Sequence, residues 1–377
     1  MQAKCFFVKT DEIYLIIAYF SFFIVSLFFS FLINKILVKF SGNLGVRGSV
    51  QNQIRFNTQS KPSFGGISFF IIFLLSIAAL SFFFQEGSLF HNYKLLGIIE
   101  ATTLGFIMGL FDDAYNTRVP IKLFSQILCG VLLIVTGTYI SVFENNYFNY
   151  IFTVLWVVGI MNSINMLDNM DAISSLVAIF IFLGILIENI IVHQAASNLN
   201  MVIVGIVSAL IGFLFFNWPP SKMYMGDTGS QFLGVLLATF SIIFIWDHKE
   251  NDLNEIPTKQ ICAVLLFFAL PIIDTTTVSI KRILKGKSPF IGGRDHTTHH
   301  LSYLGLSEQK VAIVFAAISF ISMILGIICL NIKVWTHFYT VVFVAYFLIL
   351  FVVLFYIASI NKDRENSLSQ DSSKKEG

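Results

Sequence analysis

Apolar runs long enough to cross a bilayer recur at about eleven places in this chain, each near the roughly 20 residues a helical span needs. They lie near 13–38, 64–84, 95–111, 120–140, 147–163, 173–192, 200–217, 230–246, 260–281, 310–331 and 336–360. Nothing constrains the fold more. Backbone polar groups in hydrocarbon must be satisfied internally, which leaves helices or a closed barrel. Runs of this length are helices rather than the short alternating strands of a barrel. The expectation is an all-α polytopic membrane protein of about eleven transmembrane helices, one domain over 1–360 followed by a Ser- and Lys-rich tail, 361–377, that reads as disordered. Hydrophobic residues make up 56% and charged residues 12% of the chain, which leaves no soluble domain. The 42 Phe residues read as lipid-facing filler.

Several function classes fall away at this level. A net charge of +2 gives no footprint for a nucleic acid. Cys5, Cys129, Cys262 and Cys329 are isolated and lack metal-ligand spacing, so neither disulfides nor zinc are expected. The run from Ile13 to Leu32 is too long for a signal-peptide core and reads as the first permanent span. Orientation follows the basic residues. One set of alternate flanks holds 18 of the 24 Lys and Arg residues and the other holds 6, which puts the N-terminus outside and the C-terminus in the cytoplasm.

With that orientation, every polar stretch that stands out for its chemistry falls on the cytoplasmic side. The first such loop carries Arg55 and Lys61-Pro62-Ser63-Phe64-Gly65-Gly66. The second carries Asp112-Asp113, and the third is the polar island Asn162 to Ala172. The fourth is Tyr224-Met225-Gly226-Asp227-Thr228-Gly229, and the fifth is the basic, His-rich loop from Lys281 to Lys310. By contrast the outer loop Asp247 to Lys259 reads as a solvated surface.

Each stretch has a functional and a plainer reading. In the island, if it is helical, Asn162 and Asn165 share one face and Asp168 and Asp171 another, which suits polar groups converging on a ligand; the plainer reading is a solvated loop. Asp112 and Asp113 diverge by about 100° on a helix and sit at its negative end, so a cation is wanted there, or else they are charges reaching cytoplasmic water. Gly226 to Gly229 opens a span, so Thr228 can cap it while free N–H groups hold an anion and Asp227 holds a divalent ion against it; otherwise it is an Asp/Gly turn. Hard oxygen ligands point to Mg²⁺, with Mn²⁺ as the alternative. The cations Lys281 to Lys287 suit a polyanion or simply obey the orientation rule. His296, His299 and His300 crowd three of the seven histidines into five positions. Asp274, inside the ninth span, is read as a structural acceptor.

As a set, these residues resemble the polyprenyl-phosphate N-acetylhexosamine-1-phosphate transferases, the membrane family that includes phospho-MurNAc-pentapeptide transferase. The similarity runs from about Lys61 to about Leu306 through five motifs in the family's order: Lys61-Pro62 with Gly65-Gly66, Asp112-Asp113, Asn162 to Asp171, Gly226 to Gly229, and Asp295 to Leu301. The resemblance implies ten or eleven spans in a bacterial inner membrane and a cytoplasmic active site. It also implies transfer of a sugar 1-phosphate from a UDP-N-acetylhexosamine to undecaprenyl phosphate with release of UMP, GlcNAc-1-phosphate being the expected group. Carried over, Asn165 and Asp227 bind Mg²⁺. Asp168, Asp171 and Asn162 bind the uridine and nearby polar groups, with Tyr224 against the uracil. His296 and His299, with Lys61, Arg294 and His300, contact phosphates or sugar, and Asp112 or Asp113 orients or deprotonates the lipid phosphate. A homodimer is compatible with the sequence and not specified by it.

Two departures from the family pattern bear on sugar specificity more than on reaction class. The usual Asp-Gly-x-Asp-Gly reads Asp168-Asn169-Met170-Asp171-Ala172, and the usual His-x-His-His reads His296-Thr297-Thr298-His299. Replacing Asn169 with Gly is expected to shift donor preference without abolishing turnover. The alternatives are the pentapeptide transferase of peptidoglycan synthesis, an ion-coupled secondary transporter, which would place charges near mid-bilayer with repeat symmetry, and a binding module without turnover.

Overall fold

The computed structural model describes residues 2–41, 61–84, 92–193, 199–247, 258–289 and 293–360, and side chains within these at 14–41, 61–82, 92–191 and from 199 onward. The expectations for Arg55, for most of the outer loop 247–259 and for the tail 361–377 lie outside the described residues.

All regular structure among the described residues is helical: α1 (Gln2–Phe40), α2 (Gly65–Phe84), α3 (Tyr93–Tyr115), α4 (Val119–Val135), α5 (Asn146–Leu167), α6 (Ile173–His193), α7 (Asn200–Asn217), α8 (Gly226–Ser241, continued by a π-helical turn, Ile242–Trp246), α9 (Thr258–Phe267), α10 (Ala269–Leu284), α11 (Thr297–Tyr303), α12 (Glu308–Asn331) and α13 (His337–Ile360). Nine of the described helices are long and apolar enough to span a membrane, and the bent pair α9–α10 brings the number to ten. The expected eleventh, α4, stops at 17 residues. Its apolar run continues to Ile140, but Gly137 takes φ +87°. The Gly137 N–H donates to Ile134 O at 3.0 Å and the Thr138 N–H to Leu133 O at 2.7 Å, a Schellman stop that satisfies the last carbonyls. The ninth span is broken by 80° between α9 and α10, with Pro271 in the first turn of α10, where its missing N–H costs nothing.

α8 is the axis of the bundle. In its span 89% of the most apolar window is buried, against 17% in α1 and in α13, whose exposed apolar faces belong to lipid. Aromatic volume is spent inside as well as outside. Phe69, Phe73, Phe182, Phe213, Phe232, Phe240, Phe268 and Phe315 are among the largest fully buried side chains, so the expectation of lipid-facing Phe holds only for part of the set. Phe70 and Phe106 stack at 4.0 Å between α2 and α3. Cys129, Cys262 and Cys329 are free and buried.

Polar residues where α4, α5 and α8 meet pair with one another, as hydrocarbon favours. Gln126 Nε2 donates to Gln231 Oε1 at 3.1 Å, and Asn162 Nδ2 donates to Gln126 Oε1 at 2.8 Å, tying α4, α5 and α8 together. Two close approaches aim the polar end. A Cβ on Gly66 would strike the backbone of Gly229, and one on Gly109 would strike the Asp227 carbonyl, so α2 and α3 can lie directly against the start of α8.

Candidate active site

The segment Lys61 to Gly66 is pinned to the approach of α8. Tyr224 N–H donates to Pro62 O at 2.9 Å, Gly65 N–H to Tyr224 O at 3.1 Å and Gly66 N–H to Met225 O at 3.2 Å. Gly226 then turns the chain at φ +76°, and α8 begins. Its first N–H groups meet the last turn of α3. Asp227 N–H donates to Asp113 Oδ1 at 3.0 Å; Thr228 N–H and Oγ1–H donate to Asp113 Oδ2 at 2.8 and 2.6 Å. The anion expected at this helix N-terminus is therefore the chain's own Asp113. The contact answers both dipoles, since a carboxylate ending α3 is repelled by α3 and attracted by α8.

Asp112 points the other way around α3 and is buried. Its Oδ1 accepts from Thr117 N–H and Oγ1–H, both at 2.8 Å. Lys122, on the first turn of α4, forms an ion pair with Asp112 and places Nζ 3.7 Å from Asp227 Oδ2. Asp227 Oδ1 accepts from Asn165 Nδ2 at 2.5 Å, and the same amide group reaches Ser230 Oγ at 2.9 Å. The cation expected beside Asp112 and Asp113 is thus present as Lys122, which the sequence reading counted only as a flank charge.

The polar island divides into two parts. α5 carries Asn162 and Asn165 on one face and ends at Leu167. The next five residues form a turn rather than a helix, so Asp168 and Asp171 do not share a helical face as supposed. Ala172 takes φ +67°, and its N–H donates to Asn217 Oδ1 at 2.9 Å. Asp168 accepts from Ser174 Oγ at 2.8 Å. Asp171 Oδ2 accepts from Ser221 N–H at 3.0 Å and lies 3.7 Å from Lys61 Nζ. Lys61 also donates to Ser221 Oγ at 3.1 Å and sits 5.2 Å over the Tyr224 ring, so one face of that ring already carries a cation.

The imidazole segment is held from below by α10. Asp274 accepts from Thr297 N–H and Oγ1–H at 2.8 and 2.7 Å, and contacts His296 Nδ1 at 2.8 Å. His299 stacks edge-on to His296 at 5.4 Å. Burial, with His296 beside it, pulls the His299 imidazole down to about 3, so it is neutral at physiological pH. Asp295 is engaged by Arg282 through two bonds at 2.9 and 2.7 Å; against the upward push of burial, the guanidinium holds its carboxyl below the usual range. His300 turns toward α13: Lys281 Nζ lies 2.7 Å from His300 Nε2 and 2.8 Å from Ala358 O. Arg294 stands at the rim, its carbonyl accepting from Tyr303 Oη at 3.1 Å.

Direct contacts therefore unite Lys61, Asp171 and Tyr224 in one group, Asp112, Asp113, Asn165 and Asp227 in a second, and His296 and His299 in a third. The third is joined to the polar turn by a bond from Thr298 Oγ1 to Asn169 Oδ1, 2.5 Å. Lys122 and Ser221 are polar partners the sequence reading missed, and Arg282, read there as one of the cations for a polyanion, is paired with Asp295. Lys122 carried one usable signal, its place a few residues past an acidic pair at a span's end.

Among the described residues no three His, Cys, Asp or Glu side chains form a metal-ligand group. The donor set at the α3–α8 junction nevertheless fits a hard divalent cation, because two carboxylates and an amide flank a point where the fold already stations an ammonium. Mg²⁺ characteristically takes one or two carboxylates and completes its shell with water and phosphate oxygens. For Asn165 to join such a shell it would present Oδ1 in place of the Nδ2 that now faces Asp227.

Known proteins align with this chain in the same region. A family model described as "Glycosyl transferase family 4" matches residues 95–245. The "Probable undecaprenyl-phosphate N-acetylglucosaminyl 1-phosphate transferase" of Bacillus subtilis (strain 168) is 26% identical over 342 residues, covering 87% of this chain and 88% of the relative. An undecaprenyl-phosphate alpha-N-acetylglucosaminyl 1-phosphate transferase of Thermotoga maritima is 26% identical, covering 71% and 76%. A phospho-N-acetylmuramoyl-pentapeptide-transferase of Rickettsia montanensis is also 26% identical, covering 82% and 92%. The stretch matched by the glycosyl transferase family 4 model, residues 95–245, contains both the Asp112-Asp113 pair and the α8 N-terminus.

Proposed function

We propose that this protein transfers a HexNAc-1-phosphate, GlcNAc-1-phosphate foremost, from a UDP-sugar to undecaprenyl phosphate at the cytoplasmic face of a bacterial inner membrane. A lipid-phosphate oxygen forms a bond to the phosphorus that carries the sugar, and the anhydride bond to the uridine phosphate breaks. UMP leaves with the bridging oxygen, and the product is polyprenyl-diphospho-HexNAc. The observation that carries the reading is the Asp113–α8 junction, with Lys122 between Asp112 and Asp227 beside it. It concentrates acids and one cation where two phosphate substrates have to be brought together against their mutual repulsion.

Asn165, Asp227 and Asp112 would hold Mg²⁺. When bound, that ion supplies charge neutralisation to the diphosphate, the main need in phosphoryl transfer. The chain's own residues do the rest. Lys122 and Lys61 attract the phosphates, Asp113 fixes the junction, and Asp168 and Asp171 accept hydrogen bonds from the nucleoside. His296, with its Nδ1 held by Asp274, presents Nε2 to the sugar phosphate. His299, neutral at rest, serves as a hydrogen-bonding group rather than a standing positive charge. The basic flanks support a cytoplasmic position for all of these. The second reading, phospho-MurNAc-pentapeptide transfer, has the Rickettsia relative in its favour.

The test is an in vitro assay with purified protein, undecaprenyl phosphate, Mg²⁺ and a panel of UDP-HexNAc donors, following UMP release. Asp227→Ala is expected to reduce turnover by about 10³-fold, the scale of losing a key electrostatic group. Full activity of that variant, or no UMP from any donor with the unmodified protein, would overturn the reading.

A further inference from the structure

Asn169 and Thr298 lie 129 positions apart in sequence and meet in the interior. Thr298 Oγ1 donates to Asn169 Oδ1 at 2.5 Å, and Asn169 Nδ2 donates to Met166 O at 2.8 Å. Thr298 is fully buried and Asn169 is 9% exposed. Their bond ties the turn that carries Asp168 and Asp171 to the helix that carries His299. Both are also positions where the sequence departs from the pattern it resembles, Asn standing for glycine and Thr for imidazole. The two departures are therefore in contact. An amide introduced into a buried turn needs a partner, and a threonine in place of an imidazole frees volume while supplying a hydroxyl. Each residue answers a demand the other creates.

We infer that Asn169 and Thr298 act as one specificity-determining pair for the donor sugar, a positioning device that rests on the transferase reading above. The bond sets the spacing between the carboxylate turn and α11 and closes the space between them with neutral groups. A donor whose hexosamine is bare at C3 leaves the bond intact. A donor carrying a lactyl-peptide at C3, as in UDP-MurNAc-pentapeptide, parts the pair and strands a buried amide oxygen and a buried hydroxyl. Stranded polar groups of this kind are how enzymes reject near-analogues, and discrimination by such a penalty needs no extra contact to the favoured donor.

The full-length protein, purified with undecaprenyl phosphate and Mg²⁺, tests this through kcat/KM for UDP-GlcNAc and for UDP-MurNAc-pentapeptide. The unmodified protein is expected to favour UDP-GlcNAc by about 100-fold or more. Thr298→Val, which keeps the shape and removes the hydroxyl, and Asn169→Gly are each expected to narrow that ratio by about 10-fold, chiefly through KM for the larger donor. Thr298→Ser, which keeps the hydroxyl, is expected to hold the ratio. The double variant is expected to narrow it no further than either single one, as for groups acting as a unit. A merely structural role would lower the melting temperature and kcat for both donors alike and leave the ratio alone. A ratio within about twofold of the unmodified protein's in folded Asn169→Gly overturns the inference, as does a double variant whose effects multiply, or an unmodified protein that prefers the pentapeptide donor. Should Thr298→Val not fold, Asn169→Gly and Thr298→Ser decide the matter between them. Absence of UMP from every donor with the unmodified protein removes the transferase reading itself, a result distinct from an active enzyme with an unmoved ratio.

Discussion

The α3–α8 junction and the α10–α11 junction solve the same local problem and end with opposite character. In each, a carboxylate from one helix accepts an N–H and the hydroxyl of a threonine in the first turn of another: Asp113 with Thr228, Asp274 with Thr297. Around Asp113 the neighbours are Asp112 and Asp227, with Lys122 between those two. Around Asp274 they are imidazoles, with Arg282 and Lys281 on the same helix. One junction gathers excess negative charge and suits a cation; the other gathers donors and suits phosphate oxygens. A capping carboxylate is thus a joint in both places, and the chemistry is set by what surrounds it.

The largest effect that could break this comparison comes from Asp113→Asn. The amide would turn its NH2 toward the N–H of either Asp227 or Thr228 while its one oxygen serves the other, leaving α8 without its anion. We expect a stability loss of about 2–4 kcal/mol, typical of removing a hydrogen-bonded charge from a closed site, with turnover down about 10³-fold; thermal unfolding in detergent and UMP release measure the two. Asp274→Asn should separate the joints. Its Oδ1 can still accept from Thr297, so stability changes less, but an amide Nδ2 facing His296 makes Nδ1 an acceptor and moves the ring proton to Nε2. The expected loss is about 10²-fold in kcat with little change in Mg²⁺ dependence, because with the amide in place the ring donates from Nε2 to a phosphate only as a neutral imidazole, without the positive charge a carboxylate at Nδ1 supports. Equal stability losses in the two variants would erase the distinction.

Next in size is a pH effect confined to the imidazole junction. His299 is held down to about 3 in the folded protein, whereas an unfolded histidine takes up its proton near 6.5. Below that value the unfolded chain binds a proton that the folded chain refuses, so stability falls as pH drops from about 6.5 toward 3. Asp295 has the opposite relation to its partner but the same trend: Arg282 lowers its folded value, so its contribution is present above about 3.9 and fades in stronger acid. His299→Gln should flatten the first part of this decline and leave the second. Stability measured from pH 7 to pH 4 with unchanged slope in the variant would remove His299 as its source.

How much of this was legible in advance depends on which force wrote each feature. Span positions followed from apolar length alone, and the bundle places a helix at every expected run. The errors lie where one residue overrules a run: Gly137 ends α4 inside an apolar stretch, and the α9–α10 bend divides another. Motif residues were legible because charged and imidazole groups are costly near a bilayer and so stand out. Their partners were not. Asp113 and Thr228 are 115 positions apart, and Lys122 is marked only by its place a few residues past the acidic pair. Even Asp274, read as a structural acceptor, finds its partners in Thr297 and His296 across a loop rather than within its own helix.

The smallest expected effect concerns the turn that links the two junctions. Ala172 sits at φ +67°, a conformation that costs an L residue about 1–2 kcal/mol and glycine almost nothing. The position is fixed from outside, since its N–H is committed to Asn217 Oδ1 and its carbonyl accepts from Leu176 N–H at 2.9 Å. Asn217 in turn donates to Met223 O at 3.0 Å, so relaxing the turn would disturb the approach to α8. Ala172→Gly should therefore keep the geometry and remove the strain, less what glycine's added freedom in the unfolded chain takes back, for a net gain of about 0.5–1 kcal/mol. Because the backbone path is unchanged, donor preference should not move. A raised melting temperature with an unaltered UDP-GlcNAc to UDP-MurNAc-pentapeptide ratio would assign the Ala172 departure to stability alone and leave specificity to residues 169 and 298; a shifted ratio would extend the specificity device to the whole turn.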